Sequence, residues 1–168
     1  MHNCVKIVLM LVLSYWCPDV FAKEFRGIIP LHSSRADVRR ILGHPMFDEG
    51  SPIEIFDLPE GRTGVMYIIQ SCHKGLPGNW GNWNVPVDTV VEISISVEKP
   101  FKFSKLKIPN KERLKWYTDD TLTTYYHDET IGIEYSVTKR GLVDEIVYGP
   151  TEQDHHLLCD PNAPKIKY

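Results

Sequence analysis

Asp88-Thr-Val-Val-Glu-Ile-Ser-Ile-Ser-Val97 is the stretch on which the fold turns. Val91, Ile93, Ile95 and Val97 alternate with Glu92, Ser94 and Ser96. A period of two apolar and polar positions marks a strand with one buried face and one wet face. The chain is therefore expected to build a sheet covered on one side.

Upstream of this strand the pattern changes to that of a helix. Ser34 and Asp37 stand at capping-box spacing, Val38, Ile41 and Leu42 form an i, i+3, i+4 stripe, and Arg39 and Arg40 fall in the last turn. Gly43 stops the helix and Pro45 prevents its continuation. So short an amphipathic helix needs a sheet to lie on. Further strands are expected at residues 53–56 and 65–70, the second apolar at nearly every position. Residues 75–84 form a loop with a doubled Gly-Asn-Trp.

Downstream, three more strands are expected at residues 122–127, 131–137 and 142–148, joined by connections short enough for an antiparallel meander. Residues 152–158 suit one helical turn before Cys159. The fold class is thus α+β: one N-terminal amphipathic helix packed on a mainly antiparallel sheet of about five to six strands.

Residues 1–22 combine a lysine at position 6, an apolar run and a small residue at Ala22, the composition of a secretory signal peptide. Residues 23–168 are expected to be a single α+β domain, a length sufficient to bury a core. Lys6 and Asp19 cancel, so the mature chain keeps the net charge of -3. The expected location is periplasmic or secreted, with no transmembrane segment in the mature chain. Export makes Cys72 and Cys159, the two cysteines beyond the leader, a disulfide pair.

Four groups of residues could carry a function. Trp80 and Trp83, spaced by Gly and Asn, suit a platform for a sugar, a peptide or a partner protein. In the run from Lys99 to Lys115, seven cations stand against one acid, Glu112, with Phe101, Phe103, Trp116 and Tyr117 interleaved or adjoining. Lys102, Lys105 and Lys107 are its candidate binding residues, for an anionic polymer or lipid surface and not for nucleic acid. Cys72, His73, His156 and Cys159 supply the ligand types of a tetrahedral zinc site, an alternative open only if the cysteines stay reduced.

For acid–base chemistry the available groups are His127, Asp154 and His155. The chain has no Gly-x-Ser-x-Gly elbow, no His-Glu-x-x-His and no phosphate-cradling glycine loop, and it implies no cofactor.

The segment Leu31-His-Ser-Ser-Arg-Ala-Asp-Val-Arg-Arg-Ile-Leu-Gly-His-Pro45, with strands after it, resembles the helix and Leu-Gly-x-Pro turn of small bacterial envelope domains of the SmpA/OmlA (BamE-like) group. The segment Trp-Asn-Val-Pro-Val-Asp-Thr-Val, residues 83–90, is similar to one in uncharacterised secreted bacterial proteins. The first resemblance implies a helix-plus-sheet scaffold that binds other envelope proteins without catalysis. Together these readings give an exported, non-catalytic binding or interaction module whose partner is an envelope protein or an anionic polymer. The alternative is a small secreted hydrolase with a His/Asp site near the tail.

Overall fold

The computed structural model of the chain describes residues 24–46, 51–72 and 82–160. The expected leader at residues 1–22, Trp80 and His73 lie outside them. The architecture is α+β: one short helix, α1 (Arg35–Leu42), and a seven-stranded antiparallel sheet. The strands are β1 (Ile53–Leu58), β2 (Gly61–Tyr67), β3 (Val90–Lys102), β4 (Lys115–Thr118), β5 (Thr124–Asp128), β6 (Ile133–Val137) and β7 (Leu142–Tyr148). Their order across the sheet is β1-β2-β3-β7-β6-β5-β4, so two meanders meet along the β3–β7 pair.

Ser34 caps α1 with both halves of the capping box, its side chain taking the Asp37 N–H while Asp37 takes the Ser34 N–H. Gly43 closes the helix at φ 89, left-handed space where a side chain is strained. Residues 31–35 are tied to the start of β3 by Leu31 N–H to Val90 O, Val90 N–H to Ser33 O and Arg35 N–H to Asp88 O. The helix is thereby set over the first face of the N-terminal meander. There Val38 packs with Phe25, Ile28, Phe56, Val65 and Ile93.

The long central strand extends beyond residue 97, through Pro100 to Lys102. Its register against β7 shifts between Ser96 and Phe101, and Pro100 falls within that bulge, where the missing N–H leaves no gap in the ladder. β2 begins at Gly61, earlier than expected, and the glycines at 61 and 64 belong to the strand itself. A Cβ at Gly61 would lie 1.9 Å from Ser96 O, so the close approach of β3 excludes any side chain there. The seventh strand is β4, a four-residue edge strand next to the basic run.

Candidate functional site

The basic connection between β3 and β4 folds back over the first face of the C-terminal meander. Phe101, Phe103, Leu106 and Ile108 pack on Ile133, Tyr135, Val137 and Val143. Phe103 stacks on Tyr126 with ring centroids 4.3 Å apart and meets Tyr135 edge-on at 5.9 Å. The backbone is pinned too, since Phe103 N–H donates to Gly141 O and Lys102 Nζ donates to Arg140 O, 3.1 Å away. With its apolar residues spent on the core, the segment turns Lys102, Lys105 and Lys107 to solvent as a fixed ledge. The β6–β7 turn brings Lys139 and Arg140, both exposed, alongside.

Most of the other cations among the described residues are paired. Arg113 pairs with Asp128 and Lys115 with Glu129, while Arg35 and Arg39 reach Glu54. Among the described residues no carboxylate pairs with Lys99, Lys102, Lys105, Lys107, Lys111, Lys139 or Arg140.

The second face of the same half-sheet is polar. Cross-strand register aligns Ser96, Glu145, Ser136, Tyr125 and Tyr117 in one row and Ser94, Val147, Glu134, His127 and Lys115 in the next. The Tyr117 and Tyr125 rings stack at 4.8 Å, and Glu134 Oε2 lies 3.7 Å from His127 Nδ1. Burial, with Glu92 and Glu145 nearby, pushes the Glu134 carboxyl up to about 7. Burial likewise holds the His127 imidazole below its usual range.

A stability consequence follows. Between the usual carboxyl value of 4.5 and about 7, the folded chain holds a proton on Glu134 that the unfolded chain has released. Stability at this site is therefore full below pH 4.5 and falls as pH rises through 7. Glu134→Gln is expected to stabilise the protein at pH 8 by about 1–3 kcal/mol and to flatten the decline, as read by thermal melts across the range. Equal melts for both proteins at pH 8 would show that the carboxylate is solvated there.

Trp83 is buried at the end of the N-terminal meander, 1% exposed, with Leu31, Ile68, Val85 and Val91 around it. Backbone bonds clamp its strand on both sides: Cys72 N–H donates to Trp83 O, Asn84 N–H to Leu157 O and Cys159 N–H to Asn82 O. Its indole thus serves the packing of the tail, and Leu157 and Leu158 rest on the same cluster. Cys72 and Cys159 are joined in a disulfide with Cα atoms 5.5 Å apart. The zinc reading gives way to it, because sulfurs bonded to each other are not thiolate ligands. His156 Nδ1 lies 2.7 Å from Gln153 O, and no group of three His, Cys, Asp or Glu among the described residues is placed to hold a metal ion.

The acid–base candidates stand on two elements. His127 sits on β5 against Glu134, whereas Asp154 is buried in the 3-10 turn Glu152–Leu157 and His155 is exposed on that turn. Asp154 accepts from Thr151 N–H and Thr151 Oγ1, and its other oxygen meets His32 Nε2 at 2.9 Å. Sequence reading missed His32, which lies 122 positions from Asp154, and no local pattern marks so remote a pair. The arrangement fastens the tail to the turn that precedes α1.

No helix among the described residues is long and apolar enough to cross a membrane. No family model matches the chain, and no curated protein matches it. The resemblance to envelope domains drawn from residues 31–45 therefore gains no support. Among solved structures the chain is similar to a DUF4309 family protein (YjgB) from Bacillus subtilis subsp. subtilis str. 168, with a TM-score of 0.47 and 15% identity, over 77% of this chain and 86% of that one.

Proposed function

We propose that the chain is an exported, non-catalytic binding module that holds an anionic partner, an envelope protein or a polymer, on the ledge of Lys102, Lys105 and Lys107. Export is supported by the signal-like composition of residues 1–22 and by the Cys72–Cys159 disulfide, a bond typical of oxidising compartments. The observation that carries the binding reading is the set of exposed cations, without acid partners among the described residues, on a segment clamped to the core by Phe103. Exposed cations held on a rigid support raise the local potential without the entropy cost of ordering a mobile loop.

The test is a Lys102→Gln, Lys105→Gln, Lys107→Gln variant on immobilised heparin, a polyanion probe. Removing three exposed charges should weaken binding at low salt by roughly tenfold to a hundredfold. Its melting behaviour should stay within about 1 kcal/mol of the parent, because the heads of Lys105 and Lys107 carry no packing and that of Lys102 makes one exposed bond, to Arg140 O. Elution of the variant at the same salt as the parent would overturn the reading.

A further inference from the structure

Beside the ledge stand two large apolar side chains that the fold holds out in solvent. Trp116 of β4 is 68% exposed and Leu122, in the β4–β5 turn, is 58% exposed. Trp116 pairs in register with Tyr126, so the two rings share the first face of the sheet, and Phe103 of the ledge stacks on that same Tyr126. The indole therefore flanks the segment that carries Lys105 and Lys107.

Leu122 is held out by a built turn. One Asp119 oxygen accepts from Thr121 N–H, Thr121 Oγ1 and Thr123 N–H, the other from Tyr125 Oη, and Leu122 N–H donates to Asp119 O. Leu122 adopts φ 64, a left-handed conformation that a leucine takes only when its surroundings impose it. A strained backbone that aims an apolar side chain into water gains nothing in packing for the isolated chain.

We infer that this corner of the molecule is a docking surface for an anionic lipid bilayer, with Trp116 and Leu122 entering the interface and the lysine ledge lying against the headgroups. The inference rests on the reading of the ledge as a surface for an anionic partner and puts a lipid bilayer in the place of the protein or polymer named there. Indole rings prefer the level of the headgroups, and each lysine near an anionic leaflet adds attraction that salt screens. Binding by a few shallow apolar side chains plus a basic patch is the mode of a protein that lies on a membrane without spanning it. A soluble polyanion would need the cations alone and would leave Trp116 and Leu122 without a role. The exposed acids of the region, Glu98, Glu112 and Asp120, are outnumbered by its cations.

The experiment is co-sedimentation of the intact protein with vesicles rich in phosphatidylglycerol, against vesicles of phosphatidylcholine, alongside heparin retention. The parent should sediment with the anionic vesicles at low salt and not with the zwitterionic ones. Trp116→Ser and Leu122→Ser should each weaken that partition by about tenfold and leave heparin retention unchanged. Both sites are exposed, and far-ultraviolet circular dichroism will show that the variants fold. A parent held by heparin but not by anionic vesicles would overturn the lipid inference while the ledge reading stands. A parent held by neither would remove both. Vesicle binding of Trp116→Ser and Leu122→Ser equal to the parent's would also overturn the docking surface.

Discussion

Glu54→Ala should lower the folding free energy by about 3–5 kcal/mol, measured by urea denaturation near neutral pH. Glu54 is fully buried on β1, on the core side with Phe56, and its solvation is supplied by neighbours. Arg35 Nη1 donates to Oε1 at 2.9 Å, Arg39 Nε donates to the same oxygen at 3.0 Å, and Tyr67 Oη donates to Oε2 at 2.8 Å. Arg35 also reaches Asp88 Oδ1 and Ser51 O and lies 4.0 Å over the Tyr67 ring. Alanine removes the anion and leaves a largely buried guanidinium and a phenol without their acceptor, which costs more than the pair contributes as a whole.

The isosteric Glu54→Gln should cost less, because it fills the site and keeps one acceptor, though it loses the charge and sets an NH2 donor where the second acceptor stood. A loss below about 1 kcal/mol for alanine would mean that water enters the site and solvates the arginines.

The same carboxylate sets an acid limit to stability. Burial alone would raise its pKa, but the bonds from Arg39, Tyr67 and Arg35 outweigh burial and hold it below the usual 4.5. Its contribution is thus present above that value and is lost as pH falls below it. Glu134 acts with the opposite sign, losing stability as pH rises toward 7. As far as these two carboxyls set it, stability is greatest between the two limits, on the acid side of neutrality.

Removing the disulfide is the other large effect. Cys72→Ser with Cys159→Ser should destabilise the protein by about 4–5 kcal/mol in the chain-entropy model, because the bridge closes a loop with a sequence separation of 87. The loss falls mainly on the unfolded state, which gains freedom when the cross-link is cut. Denaturant midpoints for the double variant and for the parent under reductant should agree. If they coincide with that of the oxidised parent, the reduced chain must already be compact between these positions.

The parts legible from sequence are those governed by neighbours. The capping box at Ser34 and Asp37, the alternation of Val91 to Val97 and the order of the C-terminal strands all depend on residues a few positions apart. The oxidised pair was readable because the expected removal of residues 1–22 leaves two cysteines. Other features depend on contacts that span the chain. β1 alternates Ile53-Glu54-Ile55-Phe56, yet its charged residue faces the core, because Arg35 and Arg39 descend from α1 to meet it. Ile53 is left 42% exposed. β4 hides among lysines because an edge strand can be wet on both sides and then shows no periodicity. Gly61 and Pro100 read as breaks, but the first admits a close neighbouring strand and the second occupies a bulge.

The candidate surface shows the same division. Its charge was visible in composition, whereas the pairing of Phe103 with Tyr126 and the turn that aims Leu122 outward exist only once the meander has closed. His32 and Asp154 are a case with no sequence signal at all.

The meeting of β3 with β7 bears on how the molecule comes into being. Each half of the sheet can zip from its own turns at low contact order, but this one pairing must wait for the last strand. In a polypeptide delivered amino end first, β3 spends that interval with a bare row of amides and carbonyls, the kind of margin on which stray chains aggregate. The glutamate and serines spaced along it, Glu92, Ser94 and Ser96, keep one side of that margin hydrated until its permanent neighbour arrives.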